Sequence, residues 1–121
     1  MEFKHINLIT KYFEFEYGHL IPNHPGKCVM PHGHSGKLEI TIKGEIDEQT
    51  GMIMDFSDLK KIVNEEIIEK LDHCFLNDLF YLPTAENIGD WIWNKLCEKG
   101  LNIYRLRLWE TSDSYFERVC I

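Results

Sequence analysis

The nine residues "CVMPHGHSG", positions 28–36, bring together a cysteine, two histidines one residue apart and two glycines. Imidazole nitrogen and thiolate sulfur are the donors that hold zinc, so the stretch reads either as a closed metal knot or as an open metal site. Side chains two apart on a strand point the same way, which lets His32 and His34 face one ion with Gly33 keeping the backbone slim between them. An unbroken strand gives this pair the parity of Leu38, Ile40 and Ile42, and the same count in the preceding strand puts His19 on the face of Phe13, Phe15 and Tyr17. Three histidines therefore end the apolar faces of two neighbouring strands. Three imidazoles on Zn²⁺ leave a fourth position for water or substrate. Any one of these histidines alone is an ordinary polar strand-end residue; the His-x-His spacing and the matched parity of His19 set them apart. His24, in the loop, is the reserve ligand, and His5 reads as a surface residue. Cys28 stays open between two roles: fourth ligand of a Cys-His₃ structural site, or a free thiolate beside the ion acting as acid or base.

These residues need strands to position them. The run "FKHINLITKYFEFEY", 3–17, is rich in aromatic and β-branched residues, with Phe13, Phe15 and Tyr17 alternating against Glu14 and Glu16. After a Pro/Gly-punctuated loop, 37–46 alternates again around Leu38, Ile40 and Ile42. The spacing of Leu59, Ile62, Val63, Ile67 and Leu71 predicts an amphipathic helix over 57–71 with Ser57 as N-cap. A second helix starts behind Thr84, buries Ile88, Trp91, Ile92 and Leu96, and stops at Gly100. Two strands follow, "LNIYRLRLWE" and "YFERVCI", joined by the turn "TSDS". The order β-β-α-α-β-β predicts an α+β fold, helices layered on an antiparallel sheet.

With 121 residues, 44% of them hydrophobic, the chain reads as one domain over 1–121. Apolar stretches such as "WIWNKLC" are broken well short of membrane-spanning length and no basic-then-apolar signal opens the chain, so we expect a soluble, unprocessed protein with no membrane partner. Cys28, Cys74, Cys97 and Cys120 are widely spaced in a chain that needs no disulfide staples, which fits a reducing cytoplasm. The net charge of −7 argues against a nucleic-acid partner and leaves a small anionic substrate open.

Phe15-x-x-x-His19, Cys28-x-x-x-His32-Gly33-His34, "TGMIMDF" at 50–56, "LDHCFLN" at 71–77, "PTAEN" at 83–87 and "WET" at 109–111 together, in this order, resemble the 6-pyruvoyltetrahydropterin synthase and 6-carboxytetrahydropterin synthase family. The resemblance implies the tunnelling fold: a four-stranded antiparallel sheet with two helices on one face, joined into trimeric barrels that stack as a homo-hexamer with sites at subunit interfaces. It implies His19, His32 and His34 as zinc ligands, Cys28 as catalytic base, Asp72 and His73 as a catalytic pair, and Glu110 as the pterin anchor. The implied substrate is 7,8-dihydroneopterin triphosphate. The short chain leans toward the branch that forms 6-carboxy-5,6,7,8-tetrahydropterin with release of acetaldehyde and triphosphate, in queuosine and 7-deazapurine synthesis. The pyruvoyl-forming branch is the alternative, and a non-catalytic zinc-stabilised pterin-binding oligomer a third reading. Two features bear on this assignment. Tyr17-Gly18 stand where the family has two small residues before the first ligand; relatives that make 6-hydroxymethyl-dihydropterin for folate carry Glu in place of the cysteine or just after it, a reading that Cys28 followed by Val29 lowers.

Asp72 and His73 are adjacent, so in regular extended chain they point apart; the segment must be irregular, or the two act on different partners. "LDH" is otherwise an ordinary helix end with His73 answering the C-terminal dipole. Glu110 shares the parity of Tyr104, Leu106 and Leu108, so an apolar strand face ends in a carboxylate, which a pterin's 2-amino and ring N–H groups suit as a bidentate donor edge. Glu86 reads as a first-turn helix acid, Trp91, Trp93 and Trp109 as core, and Lys27 as the cation nearest the motif.

Overall fold

The computed structural model describes residues 4–121. Strand β1 (Leu8–His19) pairs antiparallel with β2 (His32–Lys43), β2 with β4 (Ile103–Thr111), and β4 with β5 (Ser114–Val119). The expectation of four antiparallel strands needs correction. A two-residue strand β3 (Cys74–Phe75) adds to the outer edge of β1 in parallel, giving a mixed five-stranded sheet of order β3-β1-β2-β4-β5. Its bridge partners are Tyr17 and Gly18, so the chain leaving the first helix is tied to the strand end that carries His19. Two residues are too few to show alternation, which is why the pattern did not reveal β3.

The first two strands sit later and earlier, respectively, than their apolar runs suggest. Phe3 lies outside the described residues and β1 begins at Leu8, while β2 begins at His32 rather than Lys37. Gly33, Ser35 and Gly36 have weak strand preference; twelve consecutive pairings with β1, His19↔His32 to Leu8↔Lys43, carry them into the ladder.

The helical segment starts at Phe56, because Asp55 rather than Ser57 is the N-cap: its carboxylate accepts both the amide and the hydroxyl of Ser57. Helix α1 (Phe56–Val63) runs through a π-helical turn (Asn64–Ile68) into α2 (Glu69–Leu71). Helix α3 (Ala85–Glu98) starts at the expected cap, with Thr84 Oγ1 accepting the amide of Asn87. Leu59, Val63, Ile67 and Leu71 from the first segment and Ile88, Ile92 and Leu96 from α3 pack on Phe13, Phe15, Leu38, Ile40, Leu106 and Leu108 of the sheet. Trp91 and Trp93 are only partly buried. A register shift opposite Thr41 and Ile42 leaves Ile103, not Tyr104, in the core.

Gly89 brings α3 close to the sheet: a Cβ there would lie 2.5 Å from Phe116 Cδ2 and 2.6 Å from its Cε2. Alanine normally gains up to about 1 kcal/mol over glycine inside a helix, but overpacking at such a contact costs about 1–3 kcal/mol. We therefore expect Gly89→Ala to lower unfolding stability by about 1 kcal/mol; urea denaturation giving an unchanged or higher midpoint would show that Phe116 moves aside freely.

Candidate metal centre and adjoining clefts

The ladder between β1 and β2 sets His19 opposite His32 and Tyr17 opposite His34, all on the helix-facing side of the sheet. The ring centroids of His19, His32 and His34 stand 4.5–4.9 Å apart. One ligand atom from each lies within 4.8 Å of the others. His19 is fully buried, yet among the described residues its Nε2 has no hydrogen-bond partner, and neither has the buried Nε2 of His34. Unpartnered buried ring nitrogens are rare in native proteins, and here two of them face the same small volume.

The other ring nitrogens explain the orientation. His19 Nδ1–H donates to the Pro83 carbonyl at 2.8 Å and His32 Nδ1–H to the Met30 carbonyl at 2.8 Å. Each bond fixes the tautomer that leaves Nε2 as a lone-pair donor, as outer-shell carbonyls do for metal-bound imidazoles. Burial lowers the His19 pKa, against the opposing pull of Pro83 and Glu110 and with a further push from His32. Burial also lowers that of His34, with Glu110 opposing and His19 and His32 adding to the fall. Neutral imidazoles in this arrangement have the donor chemistry of a tridentate metal site. Among the described residues, no cysteine joins this three-histidine group. Cys28 sits on the short turn Lys27–Val29, partly buried, where its carbonyl accepts the Ile21 amide at 2.6 Å. That bond closes the β1–β2 loop just beyond the histidines. His24 is exposed and occupied locally, accepting the Gly26 amide. Lys27 is exposed on the same turn.

Glu110 approaches from β4. The β4–β5 register shifts between Trp109 and Thr111, so Glu110 is the extra residue of a bulge, a device that re-aims a side chain. Its Oε1 lies 3.4 Å from Nε2 of both His19 and His34. Tyr17 stands beside them with its ring edge-on to His19 and tilted against His34, and burial, with Glu110 adding to it, raises its phenol pKa. Two open recesses meet at His34. One, of about 660 Å³, is lined by His32, Ser35 and His73; the other, of about 520 Å³, by Lys37, Trp109 and Glu110. Glu86 lies in a separate shallow recess that also reaches Glu110.

Asp72 and His73 do pair, and the reason is the irregular backbone. His73 has φ +59°, the left-handed region unusual for a non-glycine residue, and its amide donates to the Glu16 carbonyl at 2.6 Å. The twist brings its Nδ1 to 3.0 Å from Asp72 Oδ2. Asp72 Oδ1 in turn accepts the Glu16 amide at 2.8 Å, which with the His73 contact holds its carboxyl below the usual range. Asn77 clasps the backbone of Leu20 through both amide atoms, fixing the chain just after His19. Asn77, the carbonyls of Met30 and Pro83, and the Glu16 main chain were not singled out from sequence. Only Asn77, inside "LDHCFLN", left a side-chain signal.

The model of the 6-pyruvoyl tetrahydropterin synthase family matches residues 8–119. The chain belongs to that family. Among relatives, an Archaeoglobus fulgidus protein provisionally named 6-carboxy-5,6,7,8-tetrahydropterin synthase is 48% identical over 103 residues, 85% of this chain and 87% of its own. The 6-carboxy-5,6,7,8-tetrahydropterin synthase of Haemophilus influenzae is 36% identical over 90% of this chain and 96% of its own. Human 6-pyruvoyl tetrahydrobiopterin synthase is 40% identical over 74% and 68%. In fold, the chain matches the 6-pyruvoyl tetrahydropterin synthase of Caenorhabditis elegans with a TM-score of 0.84 at 22% identity, covering 100% of both. Membership of the 6-pyruvoyl tetrahydropterin synthase family makes the chain a member of an enzyme family rather than a zinc-knotted structural module.

Two expectations follow. Replacing His19, His32 or His34 by Ala should weaken zinc binding by at least about 100-fold in competition with a chelating dye, because a three-ligand site loses a third of its donors; retained affinity would remove that residue from the set. The lowered Asp72 carboxyl contributes stability that is complete above its ordinary pKa of about 4 and is lost as pH falls through the lowered value. Asp72→Asn should therefore lose less stability than the parent between about pH 5 and about pH 2, read by urea unfolding; parallel curves would deny the anchor.

Proposed function

We propose that the protein is a zinc-dependent 6-carboxy-5,6,7,8-tetrahydropterin synthase acting on 7,8-dihydroneopterin triphosphate in queuosine and 7-deazapurine synthesis. The observation that carries the reading is the pair of unpartnered imidazole nitrogens facing one volume beside a carboxylate, with Cys28 outside the group. His19, His32 and His34 would hold the ion and leave it open to substrate. When bound, zinc would supply Lewis acidity, lowering the pKa of the substrate's side-chain hydroxyls and polarising the carbonyl that forms in that side chain during internal redox.

The remaining steps fall to side chains. Glu110 accepts hydrogen bonds from the pterin's 2-amino and ring N–H groups, orienting the ring. Cys28, as thiolate, removes a carbon-bound proton, and His73, steadied by Asp72, exchanges protons with the side chain. The exposed His73 ring shares a recess with His32 and His34, which suits such an exchange. Enolisation and loss of triphosphate follow, and carbon–carbon cleavage with uptake of one water releases acetaldehyde and leaves the carboxylate on the ring.

For the assembly we infer a homo-hexamer of two trimeric barrels. Among the described residues β3 pairs only with Tyr17 and Gly18, so most of β1 has an open edge, and β5 forms the opposite open edge. Edges of this kind invite head-to-tail closure. Among the described residues no helix is long and apolar enough to cross a membrane, and the free cysteines suit a reducing cytoplasm.

Relatives named for the pyruvoyl-forming reaction keep that branch as the second reading. The deciding experiment is incubation of zinc-loaded protein with dihydroneopterin triphosphate. We expect acetaldehyde and 6-carboxytetrahydropterin in equal amounts; a 6-pyruvoyl product without acetaldehyde favours the second reading, and no turnover of the pterin sinks both. Cys28→Ala should keep stoichiometric zinc and an unchanged melting temperature yet lose most turnover. Metal loss with a lower melting temperature would return Cys28 to the ligand set.

A further inference from the structure

Tyr17 is 4% exposed, and its hydroxyl oxygen is buried without a hydrogen-bond partner among the described residues. Buried tyrosines normally satisfy that oxygen, and an unmade bond at a buried hydroxyl is unfavourable. The ring is held firmly. It stacks on Phe15 at 5.3 Å between centroids, meets the edge of His19 at 5.3 Å and leans on His34 at 5.5 Å. Gly36 provides the floor: a Cβ there would come within 3.0 Å of Tyr17 Cε1. A glycine beneath a buried tyrosine lets the ring lie close on the strand, against Phe15 and the two histidines.

We propose that Tyr17 is a substrate-binding residue of this site, its phenol donating a hydrogen bond to an oxygen of the hydroxylated side chain of the bound pterin. This rests on the function proposed above and adds to it a contact none of the other site residues provides. His19 offers only a lone pair at Nε2, and Glu110 is an acceptor when ionised, so among these groups Tyr17 supplies the neutral O–H donor. An oxygen-bearing ligand seated among these acceptors needs one. The unpartnered phenol belongs to a side chain in contact with both His19 and His34, so with their Nε2 atoms given to the ion the phenol is left for a ligand seated there. A core tyrosine serving only packing would have no reason to keep its hydroxyl buried and unbonded.

Tyr17→Phe keeps the ring and its contacts and removes the oxygen alone. The probes are 7,8-dihydroneopterin, which has the side-chain hydroxyls but no triphosphate to lose, and 6-methyl-7,8-dihydropterin, which has neither. Binding is read by titration calorimetry on zinc-loaded protein, with zinc content measured on the same samples. We expect Tyr17→Phe to keep its zinc, to bind dihydroneopterin about 3–10-fold more weakly, as loss of one neutral hydrogen bond implies, and to bind the methyl compound as the parent does. Without ligand, its melting temperature should equal or exceed that of the parent, because an unsatisfied buried group has gone.

Equal dihydroneopterin affinity in parent and variant, or an equal loss for both pterins, would overturn the proposal. So would a lower melting temperature of the unliganded variant, which would assign the hydroxyl to the fold. If the zinc-loaded parent binds neither pterin, the proposed function itself fails and this inference with it, a result distinct from a parent that binds both and a variant that matches it.

Discussion

The antiparallel register of β1 on β2 is the constraint on which the site depends. It places His19 against His32 and Tyr17 against His34 on one face, and a slip of one residue would turn one strand's pair to the face opposite the other's. The register is secured from the core outward. Phe13 faces Leu38 and Phe15 faces Gly36, so the same pairing that buries the apolar residues delivers the imidazoles to the end of the core. The metal-capable group is a continuation of the hydrophobic layer rather than an addition to its surface. That continuity accounts for its electrostatics. Rings placed at the end of a buried face lose hydration, which keeps His19 and His34 neutral, and neutrality is what ligation requires.

Residues from outside the β1–β2 pair complete the site by tying themselves to it. The chain after α2 anchors at Glu16 through the His73 amide and the Asp72 carboxylate and adds a two-residue strand at Tyr17 and Gly18. The left-handed backbone at His73 is a local strain of the kind that persists where neighbouring bonds over-determine it. Asn77 and Pro83 then grip Leu20 and His19 from the next stretch of chain. Glu110 reaches the group through a bulge on β4. Three separate segments thus converge on the last residues of β1, and disturbance of that strand end would reach all of them.

Much of this was legible in the sequence, for identifiable reasons. Strand parity depends only on the two-residue repeat, so the shared face of His19, His32 and His34 could be read by counting, as could the buried faces of the helices. Features set by long-range pairing could not. Strand β3 is too short to have a period, and the start of β2 at His32 is carried by β1 rather than by the preferences of Gly33, Ser35 and Gly36. The Asp55 cap lost out to Ser57 in sequence because both residue types cap well and only the backbone decides between them. The pairing of Asp72 with His73 depends on a positive φ that no residue type announces. The hydrogen-bond acceptors that orient His19 and His32 are main-chain carbonyls, invisible to any reading of side chains.

The central claim is an open three-histidine metal site with Cys28 held apart from it. X-ray absorption at the zinc edge of the metal-loaded protein tests this most directly, because sulfur and nitrogen scatterers separate clearly by distance. The geometry requires only nitrogen and oxygen neighbours at about 2.0–2.1 Å, three of them with the multiple-scattering pattern of imidazole. A sulfur neighbour at about 2.3 Å would place Cys28 on the metal and contradict the open site.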